Sequence, residues 1–159
     1  GGDSLLRKSD KKGATCLHAA SRGGHLGAIK ALVEKDTSKE MLMTATNNGA
    51  SCLYIAASNG HVAVVEYLLE KGGKQLLTMT TKDKWTCAHI ASKNGHLEVL
   101  KTIKGHEGGT RLLEQETDRN RTCLSVATSQ IEYDRQGKPV GFEGQVAVCN
   151  FLKSLGMKQ

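Results

Sequence analysis

Aromatic residues are scarce in this 159-residue sequence: phenylalanine, tryptophan and tyrosine together make up 4% of it, and proline occurs once. A single rounded core usually contains more aromatic side chains, so the composition favours a flat, layered core of leucine, valine, isoleucine and alanine. No apolar run is long enough to cross a membrane, and residues 1–10 lack the apolar stretch of a signal peptide. We therefore expect one domain that is not a membrane protein and lies inside the cell, in the cytoplasm.

Charge and cysteine content narrow the possible classes further. The net charge of +6 is moderate; it slightly favours acidic partners and does not by itself indicate nucleic acid. Five cysteines cannot all pair within one chain, and four of them recur about 35 residues apart. If the repeats stack at a helix-to-helix distance of about 8–10 Å, those four sulfurs are too far apart for disulfides. We expect reduced, intracellular thiols.

One hexapeptide recurs along the chain. TCLHAA at residues 15–20 returns as SCLYIA at 51–56, TCAHIA at 86–91 and TCLSVA at 122–127, in steps of 36, 35 and 36 residues. A fixed period of roughly 20–50 residues is typical of repeat architectures. The hydroxyl residue that opens each copy predicts a helix N-cap, and the alanine that closes it lets a neighbouring helix come close.

The residues between the hexapeptides complete a two-helix unit. Glycine and histidine follow the first helix in three copies, and glycine just past a helix end is typical of a C-cap. A second helix then has an apolar face, formed in the first copy by Leu26, Ile29, Leu32 and Val33. Leucine-rich pairs such as Leu5-Leu6 and Leu76-Leu77 follow in the connectors, often after two glycines. Each unit is therefore helix, tight turn, helix and extended connector.

From Asp10 to His25 the sequence resembles the ankyrin repeat pattern, D-x-x-G-x-T-P-L-H-x-A-A-x-x-G-H, and similar stretches cover nearly the whole chain. Cysteine replaces the proline of that pattern in every copy. The repeats are also two or three residues longer than the usual period of about 33. The extra residues fall in the connector, where we expect an added helical turn. The resemblance implies an all-α solenoid of stacked helix-turn-helix units with short hairpin-like connectors.

We assign repeats to residues 10–45, 46–80, 81–116 and 117–159. Residues 1–9 match the trailing part of a preceding repeat, which suggests a piece of a longer array. A tag remnant is the rival explanation, but it accounts for the glycines and not for Leu5-Leu6. The last repeat carries an insertion at about 130–142, QIEYDRQGKPVGF, whose composition favours a loop over a helix. It ends in a C-terminal cap, and terminal repeats are commonly atypical.

The hairpin tips vary at one turn position. Gly13 and Gly49 are replaced by Lys84 in the third repeat and by Asn120 in the fourth. Lysine adopts a positive φ less readily than glycine or asparagine, so the third hairpin is expected to have a different shape.

Histidine and cysteine invite catalytic or metal-binding interpretations, which we weigh against structural roles. The histidines recur once per repeat instead of converging, and no HExxH spacing is present. The resemblance implies that they form hydrogen bonds between neighbouring turns and to the capping hydroxyl. The four motif cysteines lie in first helical turns, where a redox sensor is conceivable, but packing inside the stack is the preferred interpretation. We assign no catalytic residue, no metal and no cofactor.

The resemblance implies a non-enzymatic module that binds a partner protein through its concave face and hairpin tips. The positive net charge favours a partner with an acidic surface, and we expect a monomer. Trp85 is the only tryptophan, and tryptophan and arginine are enriched at binding hot spots. Three residues of the insertion, Tyr133, Arg135 and Phe142, are further candidates because loops on rigid scaffolds often carry recognition. The concave-face candidates are Lys11, Lys12, Arg22, Asn47, Asn48, Lys82, Trp85, Lys93, Arg119 and Arg121.

Two other functions stay open at this point. The lysines and arginines among these candidates are also compatible with an anionic ligand or single-stranded nucleic acid. Against this, a single tryptophan offers little stacking, and the acidic residues Asp83 and Asp118 interrupt the basic surface. Nucleic acid is therefore the weaker hypothesis. The remaining alternative is a structural spacer within a longer array.

Overall fold

The computed structural model describes residues 6–140 and 142–158. Within them the fold is helical apart from one small two-stranded sheet, and its elements follow the repeat period. The helices are α1 (Cys16–Gly23), α2 (Leu26–Lys35), α3 (Glu40–Met43), α4 (Cys52–Ser58), α5 (Val62–Leu77), α6 (Cys87–Asn94), α7 (Leu97–Gly105), α8 (Gly109–Leu113), α9 (Cys123–Thr128) and α10 (Glu143–Ser154), and the strands are β1 (Glu132–Tyr133) and β2 (Pro139–Val140).

The helices form two layers. Helices α1, α4, α6 and α9 pack against one another in that order, and α2, α5, α7 and α10 form the second layer behind them. The alanine that closes each hexapeptide is buried, so the helices of the first layer approach closely. Leucine, isoleucine and valine from the second layer complete a continuous core. The predicted all-α solenoid of helix-turn-helix units is confirmed.

The first helix of each unit begins at the hydroxyl residue that the sequence indicates. The side chain of Ser51 accepts a hydrogen bond from the Tyr54 N–H at 3.1 Å, and Thr122 accepts one from the Ser125 N–H at 3.1 Å. These bonds satisfy backbone donors that a helix N-terminus leaves without partners. At the other end, Gly24 and Gly95 have φ values of 69° and 76°, the left-handed conformation of a glycine C-cap.

The predicted helical turn in the connectors is also confirmed. Helix α3 occupies the first connector and α8 the third. In the second connector α5 bends at Gly73, whose φ of 56° and ψ of −151° are not helical, and then continues to Leu77. In each of the three connectors the leucine-rich pair is buried. The pairs are Met41-Leu42, Leu76-Leu77 and Leu112-Leu113.

The prediction of a differently shaped third hairpin is wrong. Lys84 has a φ of 58°, in the same left-handed region as Gly49 at 83°. Its N–H donates to the Thr81 carbonyl at 2.9 Å, just as the Gly49 N–H donates to the Thr46 carbonyl at 2.8 Å. The turn is therefore kept although lysine carries a Cβ, because its backbone hydrogen bonds outweigh the local cost.

The insertion folds into a short antiparallel hairpin, a pairing that the sequence pattern did not predict. Glu132 pairs with Val140, and Tyr133 pairs with Pro139. At its tip the Asp134 carboxylate accepts the N–H groups of Gln136 and Lys138, both at 2.9 Å. The assigned trailing part of a preceding repeat lies mostly outside the described residues, because residues 1–5 do.

Candidate partner-binding groove

The hairpin tips and the first-layer helices border one groove of about 1050 Å³, called the groove below. All ten concave-face candidates line it, although they come from four separate repeats. It also contains Tyr54 and Ile90 from α4 and α6, which the sequence analysis missed. Tyr54 stands at the motif position that histidine fills in two other repeats, and that substitution was the available signal.

Backbone hydrogen bonds hold the tips in register. The Asn47 N–H donates to the Lys12 carbonyl at 2.9 Å, and the Lys82 N–H donates to the Asn48 carbonyl at 3.0 Å. The Asp118 N–H continues the series by donating to the Asp83 carbonyl at 3.2 Å. Neighbouring tips are therefore joined from the first repeat to the last, and equivalent side chains stand in columns along the groove.

A second series of bonds joins the turns between the two helix layers. Nε2 of His61 donates to the Arg22 carbonyl at 2.9 Å, and Nε2 of His96 donates to the Ser58 carbonyl at 3.0 Å. In the last repeat Gln145 takes the place of histidine, and its side-chain amide donates to the Lys93 carbonyl at 3.0 Å. These bonds fix the backbone on which Arg22 and Lys93 enter the groove.

The motif histidines cap the first-layer helices, as the resemblance implies. Nδ1 of His89 lies 2.8 Å from the Thr86 hydroxyl, and its Nε2 donates to the Arg121 carbonyl at 3.1 Å. Burial lowers the pKa of His89 and of His18, so both rings are held in the neutral form. Within residues 6–140 and 142–158 no group of three histidine, cysteine, aspartate or glutamate side chains is arranged to hold a metal ion.

Trp85 is half-buried in the third repeat and contacts cations from two repeats. The Arg121 guanidinium lies 5.0 Å from the centre of the Trp85 ring, and Nζ of Lys93 lies 5.8 Å from it. The His89 ring packs against the indole with the ring centres 5.9 Å apart. Trp85 is thus a platform under two cations and not an isolated aromatic side chain.

Positive charge predominates in the groove, where seven lysine and arginine side chains face three aspartates. One of these aspartates, Asp10, already has hydrogen-bond partners in its own hairpin. Its carboxylate accepts the N–H groups of Ala14 at 2.9 Å and Lys12 at 2.8 Å. Those bonds lower the pKa of the Asp10 carboxyl group. An incoming anion therefore meets a net positive surface.

The insertion candidates do not line the groove. Tyr133 and Phe142 are 59% and 47% exposed, and Arg135 is exposed at the hairpin tip. The hairpin instead borders a separate cavity of about 530 Å³ against α10, and Val140 and Val146 both line this cavity. The structure thus places the thirteen candidates in two groups, ten in the groove and three on the hairpin.

The motif cysteines divide into buried and exposed thiols. Burial raises the pKa of Cys52, Cys87 and Cys123 to about 12, so these thiols stay protonated at neutral pH. The redox interpretation has no support at these three positions. Cys16 departs from the expected packing because it is exposed at the first repeat, where its sulfur donates to the Leu6 carbonyl at 3.2 Å.

Residues 3–80, about half of the chain, match the family model described as "Ankyrin repeats (3 copies)". No curated protein gave a significant match to the chain. None of the described helices is long and apolar enough to cross a membrane. The bonds between hairpin tips run on past residue 80 to Asp118, so the architecture of the matched part continues into the rest of the chain. Ankyrin repeats are generally protein–protein interaction modules and are typically non-enzymatic. The chain belongs to the ankyrin repeat family.

Proposed function

We propose that this chain is a non-enzymatic module that binds another protein, one with an acidic surface, across the groove. The observation that carries the proposal is the convergence of ten candidate side chains from four repeats on one groove around the only tryptophan. We further propose that it acts as a monomer inside the cell and that the repeat limits are 10–45, 46–80, 81–116 and 117–159.

Two features of the groove favour a macromolecular partner over a small ligand. The groove runs past all four hairpin tips, so it offers a long open surface instead of an enclosed pocket. Trp85 and Arg121 lie together in it, and these residue types are those that most often dominate binding energy at protein interfaces.

Affinity capture from a cell extract tests the proposal. The wild-type chain, Trp85→Ala and Arg121→Glu are used as baits, and a circular dichroism melt is recorded for each. We expect both variants to lose the captured protein while their melting temperatures fall by only a few degrees, because the cation–π contact that they lose contributes about 0.5–1 kcal/mol. Lys104→Glu is the matched charge-reversal control, because Lys104 is exposed on α7 and does not line the groove. Full capture by both groove variants would refute the site.

The excess of cations in the groove favours one second candidate, an anionic ligand or single-stranded nucleic acid. Nucleic-acid binding depends steeply on salt, since each phosphate contact releases counterions. Fluorescence anisotropy of a labelled oligonucleotide at low and physiological salt separates the two hypotheses. Tight binding at physiological salt supports nucleic acid, and weak binding supports a protein partner. A chain that captures nothing by either assay would be a structural spacer.

We also propose that Tyr133, Arg135 and Phe142 contact the partner from outside the groove. The support is that the exposed large apolar side chains among the described residues, Tyr133, Val140 and Phe142, all lie in this one segment. Replacing residues 130–142 with a short glycine-serine linker should leave the melt nearly unchanged and weaken capture. A collapsed melt would show that the hairpin is structural instead.

A further inference from the structure

The charge of the groove changes from repeat to repeat. The first repeat contributes Lys11, Lys12 and Arg22, and the second contributes no charged side chain to the lining. In the second repeat the groove is lined by Asn48, Ala50 and Tyr54, among others. Cations return in the third and fourth repeats, so the groove has two cationic ends and an uncharged middle.

The two ends differ in how their cations are held. In the third and fourth repeats, Lys93 and Arg121 both lie over the Trp85 ring, and this pair is called the tryptophan site below. Nε of Arg121 is buried and makes no hydrogen bond to any described residue. The contact with the ring orients the guanidinium, and an oriented guanidinium binds a carboxylate with two parallel hydrogen bonds. In the first repeat Arg22 is exposed and stands at the position equivalent to Lys93.

Aspartates at the tips sharpen this division. Asp83 and Asp118 are the exposed neighbours of Lys82 and Arg119, and they offset the charge of those two cations. The cations without an adjacent aspartate in this half of the groove are Lys93 and Arg121, the pair at the tryptophan site. An evenly charged polyanion would bring phosphates against Asp83 and Asp118, whereas an anion with grouped charges can avoid them.

The spacing of the ends follows from the stacking of the helices. Arg22 and Lys93 lie at equivalent positions of α1 and α6, with α4 between them. Neighbouring helices pack about 8–10 Å apart, so the two side chains are attached roughly 16–20 Å apart. An extended peptide advances about 3.3 Å per residue, and it therefore spans this distance in about five or six residues.

We propose that the groove binds an extended acidic segment of the partner, with two groups of carboxylates about five or six residues apart and uncharged residues between them. One acidic group pairs with Arg22 and the neighbouring lysines, and the other pairs with the tryptophan site. The uncharged residues face Asn48, Ala50 and Tyr54. This inference rests on the proposed function, because it specifies the chemistry of the partner at the same groove.

Synthetic peptides test the spacing. Each carries two Glu-Glu pairs joined by an uncharged Gly-Ser spacer, and the spacers contain one, about four or about twelve residues. Binding is followed by the fluorescence of Trp85, the only tryptophan in the chain. We expect the peptide with the middle spacer to bind roughly fivefold or more tightly than the one with the shortest spacer, whose two acidic pairs lie closer together than the two cationic ends. The longest spacer should lose part of that gain, and the matching Gln-Gln peptide should not bind.

Variants of the full chain test the two ends. Arg22→Ala and Lys93→Ala should each reduce the preference for the middle spacer, because each variant weakens one of the two cationic ends. The matched controls, Lys35→Ala and Lys104→Ala, remove exposed lysines outside the groove and should keep the preference. Equal affinity for all three spacers would overturn the inference. So would an oligonucleotide of equal charge that binds more tightly than the best peptide at physiological salt.

The two proposals fail in different ways. If Trp85→Ala abolishes capture of a protein from extract while the peptides show no spacing preference, the groove binds a partner but not a divided acidic segment. If Trp85→Ala and Arg121→Glu capture as much protein as the wild type, the groove assignment itself fails.

Discussion

The guanidinium of Arg121 lies 5.0 Å from the centre of the Trp85 ring, although the two residues belong to neighbouring hairpins. They occupy the same position of their repeats, one residue before the capping threonine. Because backbone hydrogen bonds join the hairpin tips in register, equivalent positions of neighbouring repeats lie side by side. This brings a tryptophan and an arginine together although they are far apart in the sequence.

Replacing Arg121 with glutamine should lower the stability of the fold and change the surroundings of the Trp85 indole. A cation–π contact contributes about 0.5–1 kcal/mol when it is partly exposed, so we expect the free energy of unfolding to fall by about that amount. Arg119→Gln is the matched control, since Arg119 is exposed and makes no contact with the ring. Urea denaturation monitored by Trp85 emission measures both variants. Equal behaviour of the two would show that the contact contributes nothing.

Substituting the turn glycine of the second repeat should be costly. Gly60 has a φ of 74°, and a Cβ at this position would lie 2.7 Å from Nδ1 of His96, the ring that reaches the Ser58 carbonyl. Gly60→Ala should lower the free energy of unfolding by about 1–2 kcal/mol or more, because left-handed backbone strain adds to displacement of the ring.

Gly27→Ala should have the opposite effect and stabilise the fold. Gly27 lies in α2, and a Cβ there meets no atom within 4 Å. Alanine should therefore raise the free energy of unfolding by about 0.5–1 kcal/mol through its better helix propensity. Chemical denaturation of both variants decides the matter. A Gly60→Ala protein as stable as the wild type would contradict the importance of the histidine bridge.

Much of the fold follows from the sequence because its signals are local. Ser51 and Thr122 cap the helices they precede, and Gly24 and Gly95 end helices in the left-handed conformation. These features depend on a few neighbouring residues and on the repeat period. The columns in the groove follow from the same period, so the concave candidates came together as a group.

Other features depend on contacts that no local pattern contains. Lys84 keeps a glycine-like turn because its tip bonds to the preceding hairpin through the neighbouring Lys82 N–H. Cys16 is exposed, whereas its equivalents Cys52, Cys87 and Cys123 are buried, although all four stand at the same motif position. The hairpin at Tyr133 arises from pairing across a turn within a segment that has almost no alternation of apolar residues.

Stability should fall as the solution is acidified below neutrality. Burial lowers the pKa of His89 below its ordinary value of 6.5, so the folded state binds fewer protons than the unfolded state at mildly acidic pH. The contribution of the neutral ring is complete above about pH 6.5 and is lost as the pH falls toward the lower folded-state pKa. Each such histidine gives a slope of at most about 1.4 kcal/mol per pH unit.

Melting curves between neutral and mildly acidic pH measure this slope. His89→Tyr removes the titrating ring and uses the residue that the second repeat has at the same position, Tyr54. The variant should show a shallower decline in melting temperature with falling pH than the wild type. His25→Gln, which replaces an exposed turn histidine, is the matched control. An unchanged slope in His89→Tyr would place the pH dependence elsewhere.

Lys84→Gly should stabilise the protein without changing the groove. Lys84 holds a φ of 58°, a region that costs a non-glycine residue about 1 kcal/mol or more, and it does not line the groove. Glycine removes that strain but gives the unfolded chain more freedom, so the expected net gain in the free energy of unfolding is about 0.5–1 kcal/mol. The reverse change, Gly49→Lys, should destabilise, because a Cβ at Gly49 would also lie 3.0 Å from Cα of Thr81. Urea denaturation of the two variants tests both expectations. A loss of stability in Lys84→Gly would contradict the prediction and would mean that the lysine side chain stabilises the third hairpin by more than its backbone strain costs.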